Sequence, residues 1–486
     1  MSSTATTLLD LIRPIPDTAT AVIVPEQNIS ITYGALRKNV DALAQQLAAA
    51  GVTRGERIGI ALPNGLPIVV AFLAAAEISC AAAPLNPAYR EDDFTFYLDD
   101  TQAKALILPA DGAEEAQRAL RQAQGKRTVR ELRIDMDNAG RVSLAGARQA
   151  PGTCQAPTPE DVALILHTSG STGRPKRVPL THANLTISAQ NVARHYRLTK
   201  DDVSMCVMPL FHVHGLVAST LATLSTGGTL VVPAKFNPLS FWRTARDTGM
   251  TWYSADPTIH QLLLARGADP DRRPEGAAKL RFIRSCSAAL PPAVMSALET
   301  AFGAPVLEAY GMTEAAHQVA SNPLPPEERR AGSVGRGTDV RIGVMDDAGH
   351  LLQPGQHGEV VINGPNVITN GWFRTGDRGF LDEKGYLTLV GRIRALINRG
   401  GEKISPREID EVLLTHPAVA EAVAFGVPHA TWGEEVEAAV VVRSDAGGVS
   451  ESELMSFCRE RLAEYKRPKQ IHITTTMPRT AHRPRP

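Results

Sequence analysis

Apolar and polar positions alternate in two rhythms along the first part of this chain. YGALRKNVDALAQQLAAAGV, residues 33–52, carries apolar side chains at helical spacing and reaches Gly51, which suits a helix end. RIGIALP reads as a strand, and FTFYLDDTQAKALILPA as a helix followed by a strand. DVALIL, GGTLVVPA, TWYSADPT and LRFIRSCSAAL continue the series to about residue 310. Helices alternating with short apolar strands predict an α/β architecture with parallel sheets. The longest apolar run, GLPIVVAFLAAAEISCAAAPL, has the length of a membrane span. Pro67 suits a helix start, however, and Glu77 would be costly in lipid, so a buried helix and a following strand fit better.

From about Ser333 the texture changes to short strands and frequent turn residues, which predicts a small β subdomain over about 333–391. Within it, GFLDEKGYLTLVGR reads as a hairpin turning near Glu383-Lys384-Gly385. Beyond 391, Ser405 is placed as an N-cap, Pro406 at the first helical position and Glu408 as the partner closing a capping box. That helix should run to about Thr415. The strands VAEAVAFGV and EEVEAAVVVR and the helix SESELMSFCRERLAEY then complete a small α+β domain over 392–486. A length of 486 residues calls for more than one core in any case.

Lys plus Arg number 51 and Asp plus Glu 51, so charge gives no footprint for nucleic acid or an anionic membrane. Cys80, Cys154, Cys206, Cys286 and Cys458 show no CxxC spacing, which fits a reduced, cytoplasmic setting with neither a disulfide framework nor a zinc site. The N-terminal residues lack the pattern of a secretory signal, and no Ser-Lys-Leu address ends the chain.

HTSGSTGRPKRVPLTH, residues 167–182, is the densest chemical signal. Glycines and hydroxyl residues let backbone N–H groups turn toward an anion, and Lys176 adds a cation. The P-loop spacing fails, because five residues after Gly170 stands Pro175. Composition alone leaves a phosphate cradle and an ordinary polar turn equally open. In FHVHG, His212 and His214 share one face if the segment is extended. A metal pair is conceivable there, but no further ligand cluster stands nearby in the sequence.

PLFHVHG (209–215), EAYGMTE (308–314), GWFRTGD (371–377) and GRIRALINRGGEKISP (391–406) follow the loop in order. Together these five motifs resemble the adenylate-forming superfamily, which includes acyl-CoA synthetases, over about residues 25–480. The resemblance implies a large N-terminal domain with two parallel-rich sheets flanked by helices, a small mobile α+β C-terminal domain and an active site between them. It implies a reaction in which an acid and ATP give acyl-AMP and pyrophosphate, and the acyl group then passes to a thiol. ATP, Mg²⁺ and coenzyme A are the implied co-reactants.

Carried over by the same resemblance, Thr168, Ser169, Gly170, Ser171, Thr172, Gly173 and Lys176 surround the β- and γ-phosphates. Glu308, Ala309 and Tyr310 belong to the ATP/AMP site, Tyr310 with its ring for adenine stacking. Thr313 touches the α-phosphate, and Glu314 with Thr168 holds Mg²⁺. Asp377 and Arg392 address the ribose hydroxyls. Gly400 and Gly401 border the pantetheine channel, and Arg394 is the hinge. His212 stands beside the acyl pocket and counts with Lys176, Thr313 and Glu314 among the catalytic residues; His214, Ser287, Ala288 and His317 complete that pocket.

The acyl-side residues narrow the acid. RSCSAAL stands where the commoner pattern has Gly-Gly-Ala, so Ser287 should shorten a fatty-acyl tunnel. His317 stands where many relatives have a small or apolar residue. A cation and hydroxyls suit a second carboxylate better than an alkyl chain. Passages such as AAPLNPAY, KLRFIRSCSAAL, AFGAPVLEAYGMTEAAH and LINRGGEKISPREIDEVLLTHPAVAEAVAFGVP also resemble oxalate–CoA ligases of plants and fungi. Oxalate is therefore the expected acid, with a medium- or long-chain fatty acid as the alternative. An enzyme that charges a carrier protein is disfavoured, since no carrier domain follows.

Two departures stand against the resemblance. GPNVITNGWF lacks a stretch of some twenty residues usual between GPNV and GWF, so a tighter turn is expected there. The end reads MPRTAHRPRP, where relatives have Pro-[Lys/Arg]-Thr-x-x-Gly-Lys. No residue matches that last lysine, and an apparent truncation with impaired adenylation, or even a nucleotide-binding remnant, is the expectation.

Overall fold

A computed structural model describes residues 5–123, 129–146, 155–168, 175–267, 273–393, 396–399, 402–429, 433–443, 448–477, 479–480 and 483–484. Ser169, Gly170, Ser171, Thr172, Gly173, Arg394, Gly400 and Gly401 lie outside the described residues.

The α/β reading holds. A nine-stranded sheet runs in the order Arg336–Gly337, His317–Ser321, Val306–Met312, Phe282–Ser285, Trp252–Ala255, Val203–Cys206, Thr229–Val231, Thr20–Val24, Ile29–Thr32. Its six central strands are parallel, and antiparallel pairs close both edges. A seven-stranded sheet has the order Val142–Leu144, Arg130–Met136, Ala105–Pro109, Arg57–Ile60, Ala81–Pro84, Val162–Thr168, Lys176–Thr181. Parallel strands buried on both faces need continuous apolar runs, and AAAP at Ala81–Pro84 is buried throughout.

The helix Leu66–Glu77 is buried along almost its whole length and starts with Pro67 in its first turn. A helix that is apolar all round belongs inside a core, and the run GLPIVVAFLAAAE is that helix. Its side chains join those of Tyr33–Ala49 and of both sheets in one apolar cluster. Each large side chain so buried contributes about 1.5–3 kcal/mol relative to exposure. Among the described residues no helix is long and apolar enough to cross a membrane.

By contacts the chain divides into two units, Met1–Arg341 with Ile362–Phe373, and Ile342–Val361 with Arg374–Pro486. A four-stranded sheet, most of whose residues belong to the second, runs Arg341–Met345, Gly358–Asn363, Phe373–Leu381, Leu387–Arg392. Its last two strands are the expected hairpin. A further sheet holds Val419–His429, Gly433–Val442 and Gln470–Thr474, with Ile397–Arg399 and Glu402–Ile404 at its edge. The helices Pro406–Leu414 and Glu451–Arg461 pack on it through Ile409, Leu413, Leu454 and Cys458.

One capping expectation fails. Ser405 does occupy the N-cap of Pro406–Leu414, but its hydroxyl caps no helix N–H. It donates to the Val390 carbonyl at 2.6 Å, and the Glu408 carboxylate accepts instead from Lys466 Nζ, at 2.7 Å to each oxygen. Tertiary partners outcompete the local box. The reciprocal box does form at the other helix, between Ser450 and Glu453.

Candidate active site

The strand Val306–Met312 turns through Thr313–Ala315 into His317–Ser321, so EAYGMTE is one arm of a tight hairpin. Ala316 and His317 close the turn with φ of 48° and 106°, left-handed values that cost a side-chain-bearing residue roughly 1–3 kcal/mol each. Neighbours hold the turn in place. Ser188 Oγ donates to Ala316 O at 2.7 Å, Asn366 Nδ2 to Ala315 O at 2.8 Å, and Ile368 N to Glu314 O at 2.9 Å. The last two come from the short GPNVITNGWF passage, which closes through bends as a tighter turn would. Gly311 is required by contact, because a Cβ there would stand 2.0 Å from His317 O. Thr313 and Glu314 are thereby held half-buried at the tip, while Glu308, Ala309 and Tyr310 are buried along the strand. Glu308 Oε1 accepts from Leu290 N at 3.0 Å and ties in the turn that carries Ser287 and Ala288.

The phosphate-loop candidate is framed by two antiparallel strands. Thr168 ends one and Lys176 begins the other, and the two are register partners. Lys176 is exposed. Thr168 Oγ1 lies 3.4 Å from Glu314 Oε1, so two residues assigned to one metal from separate motifs do meet.

Two of the acyl-side candidates, His214 and His317, converge on a residue to which the sequence reading gave no role. Arg284, in the central strand Phe282–Ser285, is 0 % exposed. Its Nε donates to Tyr196 Oη at 2.9 Å, and its Nη1 to Ser254 Oγ at 2.9 Å with His214 Nε2 at 3.3 Å. Its Nη2 donates to His317 Nε2 at 2.8 Å and to Gln318 Oε1 at 3.0 Å. His214 completes the cluster, with Nδ1 2.8 Å from Ser287 Oγ and Nε2 2.6 Å from Ser254 Oγ. The His214 and His317 rings stack at 5.2 Å.

Two expectations change here. His317 is not the cation: burial, and then the Arg284 charge, holds its pKa well below the ordinary value. Burial, followed by His317 and Arg284, does the same to His214. The positive charge belongs to Arg284. His212 and His214 also do not share an extended face, because a π-helix begins at His214 and runs to Leu221. His212 precedes it, half-buried against Phe211 with rings 4.7 Å apart. Gly215 allows that start, since a Cβ would meet Pro209 O at 2.5 Å. Both ring nitrogens of His214 are already partnered by serine hydroxyls.

In the second unit, Asp377 and Arg392 are cross-strand partners, with Arg392 Nε 2.9 Å from Asp377 Oδ1. Asp377 is 6 % exposed and takes its backbone position from Thr375, whose Oγ1 accepts from Asp377 N at 3.1 Å. The two ribose candidates therefore form one charged edge.

Residues 15–371 match the family described as AMP-binding enzyme, and residues 408–483 match the AMP-binding enzyme C-terminal domain. The second match reaches nearly to the end of the chain, and these comparisons do not bear out the impairment expected from MPRTAHRPRP. The chain is 43% identical to oxalate–CoA ligase of Arabidopsis thaliana over 476 residues, covering 93% of this chain and 91% of that protein. It is 41% identical to oxalate–CoA ligase of Saccharomyces cerevisiae over 508 residues, covering 95% and 92%. The crystal structure of ATP-bound MatB from Rhodopseudomonas palustris superposes with a TM-score of 0.87 at 29% identity, covering 98% of this chain and 96% of that one. With this hairpin, this loop and these matches, the chain belongs to the AMP-binding enzyme family as an AMP-forming acyl-CoA ligase.

Proposed function

We propose that this ligase activates oxalate, joining it to AMP and then to coenzyme A in the cytoplasm. The observation that carries the reading is the buried polar cluster of Arg284, His214, His317 and Ser254 behind Ser287. An alkyl chain laid against Ser287, the exposed end of that cluster, would strip water from a hydroxyl without replacing its hydrogen bond. A second carboxylate accepts such bonds. Oxalate–CoA ligase relatives at 43% and 41% identity favour the same acid.

A carboxylate is a poor electrophile until its oxygen is bonded to a good leaving group, which AMP supplies. Displacing pyrophosphate then asks for charge neutralisation and in-line positioning. Lys176 and the loop from Thr168 to Gly173 serve the leaving phosphates. Thr313 donates to the α-phosphate, Tyr310 lies against adenine beside Glu308 and Ala309, and the Asp377–Arg392 edge takes the ribose hydroxyls. His212 borders the reacting carboxylate, and His214, Ser287, Ala288 and His317 receive the rest of the acid. Mg²⁺ would add charge neutralisation at the phosphates. Glu314 and Thr168 fit it, as oxygen donors whose 3.4 Å separation is near the roughly 2.9 Å edge of an octahedron with 2.0–2.1 Å bonds. The second half-reaction brings the thiol past Gly400 and Gly401. Residues 1–391 form the adenylating domain, and residues 392–486 turn about Arg394.

Purified protein assayed for AMP release with oxalate, malonate and octanoate, with and without coenzyme A, tests this. CoA-dependent turnover of oxalate above the others is expected. Turnover of octanoate without oxalate would replace the reading with a fatty acid–CoA ligase.

A further inference from the structure

A fully buried guanidinium ordinarily takes a carboxylate partner, because moving the charge out of water costs several kcal/mol. Among the described residues none of the partners of Arg284 is a carboxylate. They are a phenol, a serine hydroxyl, two imidazoles, an amide oxygen and the Cys286 sulfur. Arginine only donates, so each partner must accept. That fixes both rings. His317 Nε2 receives Nη2–H and carries no proton, so its proton is on Nδ1, the side facing Gly311. Ser254 Oγ, already accepting from Arg284, is free to donate to His214 Nε2, and Nη1 points to the same nitrogen. His214 Nδ1–H then donates to Ser287 Oγ. The Ser287 hydroxyl hydrogen is left to point outward from an exposed residue.

From this chain of donors we propose that Arg284 is a positioning residue that locks His214 and His317 as Nδ1–H tautomers and, through His214 and Ser287, presents a donor to the second carboxylate of a small dicarboxylic acid. Among the described residues no carboxylate pairs with Arg284, and the substrate supplies the counter-charge. Each donated bond polarises the next, so the buried charge is felt at Ser287 without touching the acid. The pocket-facing role of Ser287 rests on the dicarboxylate reading above; the tautomer assignment does not.

The test uses the full chain with ¹⁵N-labelled histidine. Ring spectra of the ligand-free protein should show two neutral Nδ1–H histidines that change tautomer or protonation in Arg284→Met. Pyrophosphate exchange should show the oxalate KM rising about 10- to 100-fold in Arg284→Met and in Ser287→Ala, the scale of one lost charge-assisted bond, with the ATP KM within about twofold. The double variant should add little to either single change. Arg284→Lys should restore oxalate use only in part, since one ammonium cannot meet this set of acceptors. Nε2–H on either ring of the wild-type protein overturns the proposal even if Arg284→Met fails to fold. So does an equal loss toward ATP and oxalate in Ser287→Ala. If wild type ignores oxalate while the ring spectra behave as stated, the acid assignment fails and the tautomer lock stands.

Discussion

The Thr168 hydroxyl and the Glu314 carboxylate stand 3.4 Å apart although 146 positions separate them in the chain. The strand Val162–Thr168 delivers the first and the hairpin tip Thr313–Ala315 the second. Glu314 is held there by its own backbone, whose carbonyl accepts from Ile368 N. A carboxylate fixed beside a hydroxyl suits a hard cation that also takes substrate oxygens.

Glu314→Gln keeps the shape and removes the charge. The Mg²⁺ concentration giving half-maximal pyrophosphate exchange should rise at least about 10-fold, as loss of metal-site partners typically costs 10–100-fold. Titration of Mg²⁺ at saturating ATP measures it. An unchanged half-point would remove Glu314 from the metal's coordination.

Gly311→Ala tests the hairpin itself. The added methyl would meet His317 O at 2.0 Å and its carbonyl carbon at 2.8 Å, both backbone atoms that cannot step aside. Overpacking of this kind costs about 1–3 kcal/mol. Thermal melting should show the loss, together with weaker ATP binding as Thr313 shifts. A variant that melts with the wild type would mean that the turn has slack.

Most of the scaffold was legible because period and punctuation agree. The apolar run with Pro67 became the buried helix, and Glu383-Lys384-Gly385 became a hairpin turn. What escaped was decided by partners far away in sequence. Ser405 and Glu408 have capping-box spacing, yet Val390 and Lys466 claim their side chains. Arg284 sits inside the apolar strand FIRS, where an arginine is out of place, and that oddity was the available signal. Its partners Tyr196, Ser254 and Gln318 come from separate elements, so no local spacing could have gathered them.

His182 ties the N-terminal segment to the core, since its Nδ1 accepts from Leu8 N at 3.1 Å. Burial pushes its pKa down to about 4, against the opposing pull of Asp161 and Asp10. The unfolded chain therefore binds the extra proton first, and stability falls as pH drops below about 6.5, with the loss complete near 4. Moving from 6.5 to about 4 corresponds to roughly 3 kcal/mol at 1.36 kcal/mol per pKa unit. His182→Gln keeps an acceptor without a titration, so its melting temperature should fall less steeply between pH 6.5 and 4. Identical slopes would exclude His182 as the acid-labile tie.

The pH dependence of oxalate binding separates the two possible sources of positive charge. Were His317 the cation, affinity would decline as pH rises through about 6.5, the ordinary histidine value. Burial and Arg284 instead keep both His317 and His214 neutral well below that pH, and arginine does not titrate. The oxalate KM should therefore stay flat from about pH 6 to 8. His317→Ala removes one of the acceptors of Arg284 and should raise the oxalate KM about 10-fold or more, the cost of leaving a buried charged donor unpaired. ATP affinity should change little, because the residues proposed to contact the nucleotide, Glu308 to Tyr310, lie on the other arm of the hairpin. A KM that climbs with an inflection near pH 6.5 in the wild type, lost in His317→Ala, would return the charge to the histidine.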